Sequence, residues 1–300
     1  MHSVTLLAPA GSPEAADAAL RAGADAIYVG LKGWSRGGYR GELTRDELRE
    51  CLRKAKRAGK TVWLAANIIP RPAERAHLVR ELTGLADLGV EGVIVNDAGF
   101  LREVKRSFPN LLVSASVGCG ALNEGDVLFY EALGADAVVL PGNLDPDEVA
   151  AIKARVSIQV EVMVHMVQQF IQLGKCFMPS YLHFHPTEKE EVGLRLTGSM
   201  KRGGVGVCFK VCQEPWDLYR DGQRIDRRLF PAQQVSRLAD LDKFLDAGVD
   251  IVKLQGRSLP AELLGPLVRR YRAAIGAWEG RQWFEPEPAA LPSMWTVVGR

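Results

Sequence analysis

Apolar residues follow two periods along this chain. Runs of strand length recur, and each follows a segment in which apolar residues have the spacing of a helix. In each repeat a glycine suited to the end of a helix stands shortly before the apolar strand. The repeats are AGADAIYVG (22–30), RAGKTVWLAAN (57–67), LGVEGVIVN (88–96), LGADAVVLP (133–141) and AGVDIVKLQ (247–255). The helical segments begin at residues that favour N-caps, namely Ser12, Thr44, Asn123 and Asp145.

This alternation predicts the fold class. Eight apolar strands joined by helices indicate an α/β protein with a TIM-type (βα)8 barrel, and a doubly wound open sheet is the lesser alternative. The predicted strands are 4–9, 25–31, 61–69, 91–96, 111–117, 136–141, 158–166 and 249–255.

One interval breaks the repeat. Residues 167–232 separate the seventh strand from a helix predicted near 233–247, and this is far longer than an ordinary βα loop. The insertion leaves the C-terminal end of a strand, the face at which barrel enzymes build their sites. We therefore expect a single barrel over residues 1–276 that includes this insertion, followed by a tail over 277–300.

The seventh strand carries candidate catalytic residues. Because side chains alternate along a strand, Glu161, Met163 and His165 are expected to point into the barrel. His165 is the candidate for proton transfer, although a structural histidine in the core explains it equally well. Glu161 lies deeper and should have a partner such as Lys253 or Arg257, since an unpaired buried carboxylate is costly.

Composition and charge narrow the class of protein. The 38 basic and 36 acidic residues nearly cancel, so no global field marks a nucleic-acid binder. No apolar run is long enough for a membrane span and no signal-like start is present, so we expect a cytoplasmic location. Five cysteines in such a compartment favour metal, catalytic or core thiols over a disulfide framework. The zinc-peptidase motif HExxH does not occur.

Several phrases in a fixed order resemble one family. LLAPAGSPEAADAALRAGADAIYVG, NDAGF, EVMVHMVQQFIQLGKCF, CFKVC and AGVDIVKLQGR are similar to the collagenase-like peptidase family U32. The resemblance implies a TIM barrel and, despite the peptidase name, oxygen-independent hydroxylation. It further implies a [4Fe-4S] cluster on four cysteines, prephenate as the oxygen source, and ubiquinone precursors or RNA bases as acceptors.

The cluster ligands follow from this resemblance only in part. Cys176, Cys208 and Cys212 match cysteines of the family, but the usual first ligand after the strand-seven histidine is missing. Cys119 ends strand five, at the mouth that the insertion also leaves, and we expect it to be the fourth ligand. An open site or a non-cysteine ligand is the alternative. Cys51 lies inside a helix predicted over 45–58 and should be a remote, buried thiol.

Zinc is the alternative metal. Three thiolates with His183 or His185 would suit a tetrahedral zinc site, and the spacing alone does not separate the two metals. Basic residues near the insertion and residues at the strand ends are candidates for binding a carboxylated donor or RNA phosphates. These substrate-binding candidates are Tyr28, Asn67, Lys175, Arg202 and Arg257.

Some positions depart from the family. Gly142 and Asn143 stand where an arginine and a glutamate are common, and Gln255 replaces a common glutamate. The leading hypothesis is an iron-sulfur-dependent enzyme of the hydroxylase type that acts on a small molecule or RNA. A collagenase-like peptidase, or a non-catalytic cluster-bearing subunit in a hetero-oligomer with a paralogous family member, stays open.

Overall fold

The computed structural model describes residues 3–34, 41–70, 72–168, 215–229 and 233–285. Parallel strands form a closed barrel within these residues, because the first strand pairs with both the second and the last. The (βα)8 prediction is therefore confirmed, and the open sheet is wrong. We number the barrel strands β1 Thr5–Ala10, β2 Ala26–Leu31, β3 Thr61–Ala66, β4 Gly92–Val95, β5 Leu112–Ala115, β6 Ala137–Leu140, β7 Gln159–Gln168 and β8 Ile251–Leu254.

Helices surround the barrel, and four of them begin at the N-caps predicted from the sequence. Ser12 and Asn123 accept hydrogen bonds from the backbone of their first helical turns. Thr44 forms a capping box with Glu47, which fixes the start of the second helix. The described helices are α1 Pro13–Arg21, α2 Arg45–Arg57, α3 Pro72–Asp87, α4 Ala98–Ser107, α5 Glu124–Ala132, α6 Pro146–Lys153, α7 Leu241–Asp246 and α8 Ala261–Glu279. None of the helices in the described ranges has the length and apolar character needed to cross a membrane.

The glycine in each sequence repeat is explained by the backbone conformation at that position. Gly23 and Gly134 have φ of +99° and +96°, a conformation in which a side chain would be strained. Each turn ends a helix and directs the chain into the next strand. The same positive φ occurs at the other predicted positions, Gly59, Gly89 and Gly248.

Aspartates of the same phrase join neighbouring strands at the N-terminal face of the barrel. Asp25, Asp136 and Asp250 directly precede β2, β6 and β8. Each carboxylate accepts a hydrogen bond from a backbone N–H of the preceding barrel strand and binds a lysine. The strand partners are Leu6, Val113 and Val160, and the lysines are Lys60, Lys105 and Lys153.

The predicted helix near 233–247 is partly wrong. Gln233–Ser236 is a strand that pairs antiparallel with the end of β7, and α7 begins only at Leu241. Strand pairing prevailed because β7 runs beyond the barrel and offers an unpaired edge. Within the insertion, Pro215–Arg220 and Gln223–Leu229 form a hairpin whose turn residues Asp221 and Gly222 have positive φ. The last helix continues to Glu279, beyond residue 276.

Replacing Asp136 with alanine should destabilise the barrel. Val113 N–H and Lys105 Nζ lose their acceptor, and we expect a loss of about 1–3 kcal/mol in the free energy of unfolding. Urea unfolding measures this loss. Asp87→Ala, at an exposed helix end, is the control and should change stability by less than about 0.5 kcal/mol. Equal effects of the two substitutions would contradict the role given to Asp136.

Candidate functional site at the carboxyl end of the barrel

Alternate strands fill the barrel interior in layers. Strand registers place Leu7, Trp63, Ser114 and Glu161 in one layer, from β1, β3, β5 and β7. The next layer toward the carboxyl ends comes from β2, β4, β6 and β8 and contains Tyr28, Ile94, Val139 and Lys253. Each of the two layers therefore contains both apolar and polar side chains.

A buried ion pair occupies the centre of these layers. Lys253 Nζ lies 2.6 Å from Glu161 Oε1, which confirms the predicted partner of this carboxylate. The same ammonium group lies 4.6 Å from the centre of the Tyr28 ring, a cation–π distance. Tyr28 donates its hydroxyl to Leu254 O at 3.0 Å, and burial raises the pKa of this phenol. The pair fixes a positive charge below the mouth of the barrel.

His165 does not point into the barrel, so this prediction is wrong. The pairing of β7 with β8 shifts by one residue after Lys253, and Leu254 pairs with His165. Leu254 faces the helices, so His165 faces them too, with its ring 6.0 Å from that of Tyr271. The cause is a β-bulge at Val164, which puts two successive residues on one side of the strand.

Hydrogen bonds hold this bulge in place. Val164 O accepts from the Tyr271 hydroxyl at 2.9 Å and from Arg237 N at 2.7 Å. Tyr271 also contacts Ser236 Oγ at 2.9 Å. The bulge thus connects β7 to α8 and to the strand that returns from the insertion.

Loops after three strands meet around Arg257. A Cβ at Gly11 would lie only 1.8 Å from Arg257 O, and one at Gly41 would lie 2.7 Å from the same atom. Burial lowers the pKa of the Arg257 guanidinium, while Tyr28 and Glu42 oppose that shift. The structure thus brings two substrate-binding candidates, Tyr28 and Arg257, together at the mouth.

Two departures from the family pattern have structural roles here. Gln255 Oε1 accepts a hydrogen bond from Val167 N at 2.8 Å and so supports the extension of β7. A Cβ at Gly142 would lie 2.3 Å from Met163 O, so this position cannot hold an arginine without moving the backbone. Both residues fit the path of β7 in this chain.

The described cysteines differ in environment. Cys51 is fully buried in α2, and burial raises the pKa of its thiol to about 12, as expected of a structural thiol. Cys119 lies half-buried just after β5, and its Sγ donates to Val95 O at 3.4 Å. The described residues contain no group of three or more metal-binding side chains. The candidates Cys176, Cys208, Cys212, Lys175 and Arg202 lie outside the described residues.

Sequence reasoning missed a row of polar residues beside Asn67. Asn96 and Ser116 follow β4 and β5 directly, and the strand registers place Asn96 between Asn67 and Ser116. Asn96 and Ser116 are 6% and 3% exposed. Each is the first residue after its strand and faces the barrel interior. This position relative to the predicted strand was the sequence feature that could have identified both residues. The fold and this mouth together define a (βα)8-barrel protein with its candidate site at the carboxyl ends of the strands.

Comparison with known proteins identifies the family to which this barrel protein belongs. The model of peptidase family U32 matches residues 11–296. The chain belongs to peptidase family U32. A solved structure described as the U32 peptidase Mk0906 has a TM-score of 0.55 and 17% identity, covering 85% of this chain and 93% of that one.

Curated relatives carry names from RNA modification. The tRNA hydroxylation protein P1 of Bacillus subtilis is 25% identical, covering 97% of this chain and 66% of the relative. The tRNA hydroxylation protein P of Haemophilus influenzae is 30% identical over 77% of this chain and 48% of its own length. The 23S rRNA 5-hydroxycytidine C2501 synthase of Escherichia coli is 25% identical over 92% and 40%. The chain thus spans only part of each of these relatives.

A double-mutant cycle should reveal the buried ion pair. Lys253→Met leaves the Glu161 carboxylate buried without its counter-ion, and we expect a loss of about 3–5 kcal/mol of stability. The double variant Glu161→Leu/Lys253→Met removes both charges and should regain most of that loss. Chemical denaturation of these two variants and of Glu161→Leu alone measures the coupling. Additive effects would show that the two groups do not interact.

Proposed function

We propose that this chain acts in the oxygen-independent hydroxylation of an RNA base, as an iron-sulfur enzyme whose substrate enters at the carboxyl end of the barrel. The observation that carries the proposal is the match to a tRNA hydroxylation protein along 97% of the chain. A second relative named for rRNA cytidine hydroxylation supports the same reaction type. A ubiquinone-type aromatic acceptor is the second candidate, favoured by the CxxxC spacing of Cys208 and Cys212.

The proposed cluster ligands are Cys119, Cys176, Cys208 and Cys212. Cys119 fits this role because its half-buried thiol follows β5 at the carboxyl end of the barrel. Cys51 does not fit, because it is buried among apolar residues in α2. A bound [4Fe-4S] cluster would supply electron-transfer chemistry. Zinc on the same thiolates is the alternative.

The chain's own residues would bind and orient the substrate. Lys253 is held by Glu161 and keeps a positive charge under the mouth, where it favours an anionic group above it. Arg257 lies beside Tyr28 and can hold a phosphate or carboxylate, with Lys175 and Arg202 as further candidates. In this proposal Glu161 acts by positioning Lys253. His165 faces α8, so its part is to support the bulge rather than to move a proton.

The proposal includes a partner subunit and a cellular location for the protein. Gly142, Asn143 and Gln255 replace residues that are common in the family, so the proposed partner is a paralogous family member in a hetero-oligomer. RNA substrates of this kind are found in the cytoplasm, and we propose the same location for this protein.

Anaerobic purification tests the cluster first. We expect a brown protein with about four iron and four sulfide per chain. Cys119→Ser should lose the colour and the iron, whereas the matched control Cys51→Ala should keep both. RNA from cells that contain or lack the protein is then digested, and nucleosides with one added oxygen are sought by mass spectrometry.

Each outcome favours one candidate. Iron with an oxidised nucleoside supports the proposal, and iron without it directs the search to ubiquinone precursors. A colourless protein without iron, or one that cleaves gelatin, would contradict the proposal and support zinc or peptidase chemistry. Colour retained in Cys119→Ser would show that the fourth position is open or is held by another group.

A further inference from the structure

Three buried oxygen atoms in the barrel interior meet no hydrogen-bond donor among the described residues. They are Asn96 Oδ1, Ser114 Oγ and Glu161 Oε2. Asn96 follows β4, and the other two lie on β5 and β7, so all three face the interior from one side of the barrel. Native proteins satisfy buried acceptors with water or a ligand. This side of the barrel therefore favours a molecule that donates hydrogen bonds.

The three acceptors lie at different depths in the barrel. Ser114 and Glu161 belong to the same layer, below the layer that contains Tyr28 and Lys253. An internal water that contacts both would satisfy them, as is common for buried polar groups. Asn96 is the first residue after β4, at the carboxyl end of the barrel. Of the three acceptors, Asn96 Oδ1 therefore lies nearest the mouth.

The surroundings of Asn96 combine two kinds of surface. Asn67 and Ser116 lie beside it on the neighbouring strand ends, which makes a row of amide and hydroxyl groups. Next to Ser116 begins an apolar cluster that contains Met163 and Met166. Methionine sulfur packs well against aromatic rings. A flat ring with N–H donors on one edge matches both surfaces.

We propose that Asn96 Oδ1 accepts a hydrogen bond from an N–H group on the Watson–Crick edge of a pyrimidine base in the mouth, which makes Asn96 a specificity-determining residue. This inference rests on the proposed function. Asparagine commonly reads base edges, and enzymes that modify bases place the target base in a site that reads this edge. The donor is N3–H in uracil and the amino group in cytosine.

Base analogues that lack the donor test the proposal directly. The full-length, anaerobically purified protein is titrated with labelled single-stranded hexamers of uridine, N3-methyluridine, cytidine and N4,N4-dimethylcytidine. The backbone phosphates are identical, so their salt-dependent contribution cancels within each pair. Wild-type protein should bind at least one unmethylated hexamer on the order of tenfold more tightly than its methylated counterpart. The pair that shows the difference identifies the base.

Substitutions at Asn96 test whether this residue causes the difference in affinity between the unmethylated and methylated hexamers. Asn96→Leu should bind both members of the pair equally, and Asn96→Asp, which keeps an acceptor, should retain the preference. Asn110→Leu, at an exposed turn before β5, is the matched control and should behave as wild type. Equal binding of both pairs by wild-type protein would overturn the proposal, even if Asn96→Leu fails to fold. Discrimination that persists in Asn96→Leu would overturn it as well.

The outcome for the proposed function is measured separately. Wild-type protein that discriminates between the hexamers but gives no oxidised nucleoside would contradict RNA hydroxylation and leave the role of Asn96 standing. Protein that hydroxylates RNA without discriminating between the hexamers would contradict the role of Asn96 alone.

Discussion

The ion pair between Glu161 and Lys253 is the interaction on which the barrel interior depends. It joins β7 to β8 from the inside, with Glu161 fully buried and Lys253 nearly so. Two charges removed from water are expensive, and hydrophobic residues of similar volume would fill this space at lower cost. A buried pair of this kind is therefore retained for a reason other than a net gain in stability, and we propose that the reason is the position of the ammonium group. It holds an ammonium group against the Tyr28 ring, directly below the residues that a substrate would meet.

The same two strands determine the shape of the mouth. Up to Lys253 they pair in regular register, and the bulge at Val164 then turns His165 toward α8. Beyond the bulge, β7 continues as one side of a second pairing with Gln233–Ser236. Gln255 supports this extension from β8 through its bond to Val167 N–H. A local change of register thus separates a packed barrel core from an irregular functional end.

Much of this architecture could be read from the sequence because it repeats. Helix-ending glycines such as Gly23 and N-caps such as Ser12 act through local backbone geometry, and alternation correctly placed Glu161 opposite a cation. The bulge could not be predicted, because the alternation of apolar residues in the sequence continues through Val164. Only the pairing of β7 with β8 shows that the register shifts there. Gln233–Ser236 was missed because its pairing depends on an edge of β7 distant in sequence. The position of Asn96 just beyond a strand end was visible in the sequence, but its place between Asn67 and Ser116 required the strand registers.

The pairing of the two ends of the insertion affects the free-energy cost of changing the length of the insertion. The chain leaves the barrel along β7 and returns along Gln233–Ser236, beside its point of departure. Such a hydrogen-bonded stem keeps the two ends together, so the length of the segment beyond it adds only slowly to the entropy cost of closing the loop. A change in the length of this segment would therefore cost the barrel little free energy.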